Sequence, residues 1–125
     1  MRAEIRRAAE AGEGKTREGC YILEVANDSG DELVSIARAR VGAGVTTEWH
    51  CLKGASERYV IVSGTGRVEL NGRETFEVSE GDVVRIPPDT AQRISNIGEG
   101  DLVFYCICTP PFKPSCYVSL EQERR

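Results

Sequence analysis

The sequence predicts an all-β fold of the sandwich or barrel type. At least eight short segments rich in β-branched and aromatic residues follow one another at close spacing, which is typical of such folds. Glycine-containing turns join these segments, and no helical pattern lies between them. The chain has 125 residues, enough for one domain with one hydrophobic core. The local pattern does not distinguish a sandwich from a barrel.

The first residues are predicted to stay outside this fold. Residues 2–12, RAEIRRAAEAG, contain good helix formers but offer only Ile5 as a large apolar contact. We therefore expect a short, frayed helix or a disordered segment there. Residues 13–19, EGKTREG, have the composition of a linker.

A β-hairpin is predicted next. Residues 20–26, CYILEVA, are β-branched and aromatic enough to form a strand. Residues 27–31, NDSGD, supply the Asn, Asp and Gly that a turn needs. Residues 32–41, ELVSIARARV, are then the returning strand, with one solvated face.

Seven further strands are predicted between residues 45 and 108. They cover residues 45–52, 57–63, 67–70, 75–78, 83–86, 91–96 and 101–108. The dipeptide Asn71-Gly72 favours a type I′ turn because both residues tolerate a positive φ. Pro87 and Pro88 end a strand, since proline cannot donate to a sheet ladder. Residues 109–120 contain three prolines and are predicted to run over the surface.

The composition argues against some classes of partner and location. Sixteen basic and twenty acidic residues give a net charge of −4, so the chain has no general attraction for nucleic acid or an anionic membrane. The N-terminus lacks a secretion signal, and no apolar run is long enough to cross a bilayer. We therefore predict a cytoplasmic protein. Its five cysteines are odd in number and scattered, which indicates free thiols.

Strand alternation predicts where chemistry could take place. If two successive strands line one interior, alternate residues of each strand share an inward face. These residues are Thr46, Glu48, His50 and Leu52 in the strand over 45–52, and Glu57, Tyr59 and Ile61 in the strand over 57–63. The only histidine of the chain would then meet carboxylates in an apolar cavity. A buried carboxylate is costly unless it finds a cation, and a divalent metal is one such cation.

Two spaced motifs resemble those of the cupin family. Residues Gly44-x5-His50-x-Leu52-x4-Glu57-x6-Gly64 match the pattern Gly-x5-His-x-His-x4-Glu-x6-Gly except at the second histidine. Residues Gly81-x5-Pro87-x-Asp89-x2-Gln92-x3-Asn96 resemble the pattern Gly-x5-Pro-x-Gly-x2-His-x3-Asn. The resemblance implies a double-stranded β-helix, a jelly-roll-like barrel, around one metal. It also implies an N-terminal segment over 1–18, a barrel over 19–112 and a C-terminal extension over 113–125.

The resemblance also implies a set of metal ligands. His50 and Glu57 match ligand positions by identity, and Gln92 occupies the position of the second-motif histidine. Leu52 stands at the remaining histidine position and cannot bind a metal, but Glu48 could replace the missing donor. We therefore expect one divalent transition metal per chain, Mn, Fe, Ni or Zn, held by His50, Glu57, Gln92 and Glu48. In the alternative, these groups hydrogen-bond to one another and to water without a metal.

Two classes of function follow. The first is a metal-dependent enzyme, an isomerase, lyase or dioxygenase acting on a small oxygen-rich metabolite, with Glu57, Tyr59 or Glu48 as the catalytic group that moves a proton. The second is a non-catalytic module that binds a sugar or small acid. The resemblance and the apolar residues in TPPF and CYVSL also predict a homodimer.

Overall fold

Two antiparallel sheets make up the described part of the computed structural model, residues 1–16 and 19–121. Their strands are β1 (Glu13–Lys15), β2 (Tyr21–Ala26), β3 (Ser35–Val41), β4 (His50–Leu52), β5 (Ser56–Ser63), β6 (Gly66–Leu70), β7 (Glu74–Val78), β8 (Val83–Ile86), β9 (Gln92–Asn96), β10 (Leu102–Thr109) and β11 (Tyr117–Ser119). The first sheet has the order β1-β2-β3-β10-β5-β8, and the second has the order β11-β4-β9-β6-β7. From β3 onward the chain crosses repeatedly between the sheets, which confirms the predicted jelly-roll-like barrel.

The core lies between the two sheets. Strand alternation places one side of each strand inward, so that Ile61 of β5 and Phe104 of β10 meet Val68 of β6 and Ile94 of β9 in one cluster. Each of these four side chains is at most 2% exposed. Strand β10 pairs with β3 on one side and β5 on the other, and it is the central strand of this framework.

The turns follow the expected chemistry. Asn71 and Gly72 have φ values of 56° and 73°, as a type I′ turn requires. Gly64, the last glycine of the first motif, has a φ of 91°. A Cβ at Gly64 would lie 2.7 Å from the carbonyl oxygen of Asp101, so this position admits only glycine without strain.

The N-terminal segment differs from the prediction. Only residues Ala8–Glu10 form a single turn of 3-10 helix, because the segment offers too few apolar contacts to stabilise a longer helix. The predicted linker contains β1, whose residues pair with β2 in the register Glu13↔Leu23 to Lys15↔Tyr21. Backbone hydrogen bonds to an available sheet edge outweigh the weak β-propensity of this Glu-Gly-Lys segment.

The C-terminal extension also joins the barrel. Strand β11 pairs with β4, and a 3-10 turn at Pro114–Cys116 precedes it. The apolar side chains of Phe112, Cys116 and Tyr117 pack against a second small cluster in the barrel. Several residues that suggested a homodimer are therefore covered within the chain itself, and the homodimer stays a prediction. Within residues 1–16 and 19–121, the structure contains no helix with the length and apolar character to span a membrane.

Candidate functional site

A cavity of about 470 Å³ opens into the barrel. Its walls are mostly apolar, with Ile22, Ala39, Ile94 and Phe104 among them. The polar side chains of Thr47, His50, Glu57 and Tyr59 also line it, and so do residues 14–16 of the N-terminal segment. An apolar cavity with a few convergent polar groups is the usual form of a small-molecule site.

His50 begins β4 and is 3% exposed. Its Nδ1 atom lies 2.7 Å from the backbone carbonyl oxygen of Glu48. A carbonyl oxygen only accepts, so Nδ1 must carry the proton of this hydrogen bond. The neutral ring therefore holds its lone pair on Nε2. The ring also stacks on Tyr117, with centroids 4.8 Å apart and planes 16° from parallel.

Glu57 lies on β5 opposite Cys108 of β10 in the sheet register. Its side chain is buried and lines the cavity. Burial raises the pKa of the Cys108 thiol, and the negative charge of Glu57 and a hydrogen bond to it raise that pKa further. Ser35 also hydrogen-bonds this thiol. Cys108 therefore stays protonated beside Glu57 and acts as one of the groups that hold the carboxylate in place.

Tyr59 and Gln92 form the next contact. The Tyr59 hydroxyl donates to Oε1 of Gln92 at 2.5 Å, and both residues are almost completely buried. Gln92 of β9 also pairs with His50 of β4 in the second sheet. The amide oxygen that was predicted to face a metal therefore accepts a hydrogen bond from Tyr59. The Tyr59 ring itself packs against Phe104, with centroids 4.6 Å apart.

Glu48 does not lie where strand alternation placed it. Strand β4 starts only at His50, and Thr47, which hydrogen-bonds to Ile94, lines the cavity instead of Thr46 or Glu48. The Glu48 carboxylate accepts hydrogen bonds from the Tyr117 hydroxyl at 2.5 Å and from Ser119 Oγ at 2.8 Å. The predicted shared face was wrong here because three residues before β4 leave the regular two-residue period.

The donor set can be tested against the metal that the motif resemblance implies. His50 offers Nε2 and Glu57 a carboxylate, but Leu52 supplies no donor, and Gln92, which accepts from Tyr59, does not line the cavity. Within residues 1–16 and 19–121, no three His, Cys, Asp or Glu side chains form a group that could hold a metal ion. Two donors fall short of the three or four protein ligands of typical metal sites, so His50 and Glu57 by themselves form an incomplete metal site.

Sequence reasoning missed three contributors to the site. Tyr117 and Ser119 reach it through β11, which lay inside a segment predicted to be a surface loop. The alternation in CYVS could have indicated a short strand, but its pairing with β4 is not visible in the sequence. Nothing in the composition of Glu13–Lys15 indicated that β1 would form a strand and line the cavity. Cys106 and Cys108 share one face of β10, since both line the cavity.

The raised pKa of Cys108 gives a testable expectation. Alkylation requires a thiolate, and this thiol is buried, with its pKa held well above the ordinary value. At pH 8 we expect iodoacetamide to modify Cys108 in the native protein at least tenfold more slowly than after unfolding in guanidinium, because the pKa shift and burial act together. Peptide mass spectrometry measures both rates. Equal rates would contradict the hydrogen-bonded thiol.

A sequence profile described as Cupin domain matches residues 37–108. The Uncharacterized protein MJ1618 of Methanocaldococcus jannaschii is 36% identical over 99 residues, which cover 78% of this chain and 78% of that protein. The matched residues 37–108 include the two motifs and the strands that carry His50, Glu57 and Gln92.

Solved structures show the same fold. Streptomyces PAC13 with uridine has a TM-score of 0.79 at 19% identity, covering 96% of this chain and 92% of that one. It is described as a nucleoside dehydratase. A predicted oxalate decarboxylase of Thermotoga maritima has a TM-score of 0.75 at 21% identity, covering 86% of this chain and 99% of that one. At these identities the likeness is one of fold alone.

Proposed function

The chain belongs to the cupin family, and from its cavity we propose that it is an enzyme that moves a proton on a small oxygen-rich metabolite. The observation that carries the proposal is the fixed His50 ring, with Nδ1 tied to a backbone carbonyl and the lone pair on Nε2. His50 lines the same cavity as Tyr59 and Glu57. These are the residue types that general acid–base catalysis uses most often.

Each residue then has a distinct role. His50 Nε2 accepts a proton from a carbon or oxygen of the bound molecule. The Glu57 carboxylate stabilises the imidazolium that forms, because both groups are shielded from water in one cavity. Tyr59 donates its only hydroxyl proton to Gln92 Oε1, so the lone pairs of this hydroxyl remain to accept a hydrogen bond from the bound molecule and orient it beside His50. Proton transfer of this kind suits an isomerase or a lyase.

The cavity also restricts the kind of molecule. Its volume of about 470 Å³ suits a small metabolite. Its apolar walls favour a molecule with an apolar or planar body, and His50, Glu57 and Tyr59 favour a polar group at one end. The structurally similar PAC13 protein binds uridine, a molecule with a planar base and a hydroxyl-rich sugar.

A metal-bound site is the second candidate. One observation favours it: metal-binding histidines commonly donate their other ring N–H to a backbone carbonyl, as His50 does. In this candidate His50 and Glu57 hold the metal, and its identity is Mn, Fe, Ni or Zn. We prefer the first candidate because only two protein donors, His50 and Glu57, are available to a metal in the described cavity.

Solvent deuterium exchange tests the proposed proton transfer. The protein is incubated in D2O with uridine, ribose, glucuronate or malate, and NMR follows deuterium entering the C–H bonds and any conversion of the compound. We expect the wild type to act on at least one of them, His50→Gln to be about 100-fold slower or worse, and Tyr59→Phe to be slowed less.

Tyr105→Phe is the matched control, because Tyr105 lies on β10 but does not line the cavity. Thermal shift measurements on the same proteins report binding separately from turnover. A compound that stabilises the wild type and His50→Gln equally, and is never exchanged or converted, would contradict the enzyme and support the binding module.

A further inference from the structure

We infer that β11 is part of the site, with Tyr117 as a positioning residue that keeps His50 in its Nδ1–H tautomer. The inference rests on the proposed function only where it assigns the Nε2 lone pair to proton transfer. Free histidine favours the opposite tautomer, with the proton on Nε2. The protein must therefore hold the acceptor for Nδ1 firmly in place, and the structure shows what holds it.

The acceptor is the backbone carbonyl of Glu48, two residues before His50. This carbonyl does not belong to a strand, since β4 begins at His50. Its direction therefore depends on how residues 48 and 49 are held. Any rotation of this short segment changes the distance between the carbonyl oxygen and Nδ1, and hydrogen bonds weaken steeply as geometry worsens.

Strand β11 and the residues after it hold this segment from one side. The backbone N–H of Trp49 donates to the Glu121 carboxylate at 2.9 Å, and the Trp49 carbonyl accepts from the N–H of Leu120 at 2.8 Å. The register Ser119↔His50 and Tyr117↔Leu52 continues this contact along β4.

The side chain of Glu48 is held by the same strand. Its two carboxylate oxygens accept separately, one from the Tyr117 hydroxyl at 2.5 Å and the other from Ser119 Oγ at 2.8 Å. The Tyr117 ring meanwhile lies flat against the imidazole of His50. One tyrosine thus contacts both the ring to be oriented and the residue whose carbonyl orients it, so its hydroxyl and its ring have separable effects.

Tyr117 and Ser119 act through Glu48 and not on a bound molecule, because neither lines the cavity. Their loss should change the balance between the two tautomers of His50 while the barrel stays folded. A residue with a purely structural role would alter stability without altering that balance. The tautomer is therefore the deciding readout.

The single histidine makes the tautomer directly measurable. A long-range 1H–15N NMR spectrum of 15N-labelled protein, recorded near pH 8.5, well above the ordinary titration range of histidine, shows one imidazole. In the wild type we expect Nδ1 in the protonated range and Nε2 in the unprotonated range. In Tyr117→Phe/Ser119→Ala, which removes the two hydroxyl groups that donate to the Glu48 carboxylate, the two 15N shifts should move toward each other.

Tyr117→Phe alone removes the hydroxyl and retains the stacked ring, so it measures the effect of the hydroxyl separately from that of the ring. Tyr105→Phe is the control and should leave the imidazole shifts unchanged. If the double variant does not fold, as judged by circular dichroism, the comparison is made between Tyr117→Phe and Ser119→Ala. Wild-type shifts that place the proton on Nε2, or folded variants with wild-type imidazole shifts, would overturn the inference.

The spectrum needs no substrate, so it separates this inference from the proposed function. A changed tautomer in the variants, together with a compound that binds the wild type and His50→Gln equally and is never exchanged or converted, would remove the proposed enzyme and keep β11 as the positioning strand. If the wild type does exchange a compound, the folded double variant should be at least about tenfold slower, as is seen when a catalytic histidine adopts the wrong tautomer. Unchanged exchange and shifts would reject the positioning role alone.

Discussion

Replacing Leu52 with histidine is expected to raise the metal content of the protein from well below one to about one transition metal per chain. Leu52 lies two residues after His50 in β4, is buried and lines the same cavity. It also occupies the position where the cupin motif has its second histidine. The introduced imidazole adds a third donor to His50 and Glu57, which is the protein ligand count of many metal sites.

Elemental analysis of proteins purified without chelators measures this change. The variants Leu52→Asn and Leu52→His/His50→Gln are the controls, since the first adds no imidazole and the second removes one of the three donors. If the wild-type chain already contains close to one metal per chain, the second candidate function gains over the first. If Leu52→His binds no more metal than Leu52→Asn, the account of the missing donor is wrong.

Replacing Gly64 with alanine is expected to cost about 3 kcal/mol or more of folding free energy. The new Cβ would meet the Asp101 carbonyl oxygen at 2.7 Å and the Leu102 Cα at 2.9 Å, and both are backbone atoms that cannot rotate away. Overpacking of this kind costs about 1–3 kcal/mol, and the φ of 91° adds about 1–2 kcal/mol for a residue with a Cβ. Such a loss is a large fraction of the stability of a typical domain.

Gly44→Ala is the matched control. Gly44 belongs to the same motif and has a φ of 78°, but a Cβ there would meet nothing within 4 Å. We expect it to cost about 1–2 kcal/mol, the conformational strain alone. Urea denaturation followed by tryptophan fluorescence and circular dichroism gives both free energies of unfolding. Equal losses in the two variants would show that the contact with Asp101 and Leu102 relaxes.

The strands could be predicted well because their signals are local. Asn71 and Gly72 specify a turn without knowledge of the fold, and alternation in β5 correctly placed Glu57, Tyr59 and Ile61 on one inward face. The motifs then supplied the family and the barrel, which periodicity alone could not distinguish from a sandwich.

The site was harder to predict because its contacts join distant parts of the chain. Alternation failed at Glu48, since the residues before β4 follow their contacts with Ile94 and not the period of a strand. The hydrogen bonds of Glu48 join it to Tyr117, 69 positions along the chain, and to Ser119, 71 positions along the chain. Whether Gln92 would face a ligand or accept from Tyr59 depends on side-chain geometry that a single sequence does not contain.

Strand β11 has a further consequence for the dynamics of the site. It is a three-residue edge strand that, among the strands of the described residues, pairs with β4 alone, whereas β10 is paired along both edges. Short edge elements open locally at a much lower free-energy cost than global unfolding. We therefore expect the amide protons of β11 to exchange with solvent long before those of β10. The order of the His50 ring can thus be lost while the barrel persists, so a high melting temperature does not by itself report an intact site.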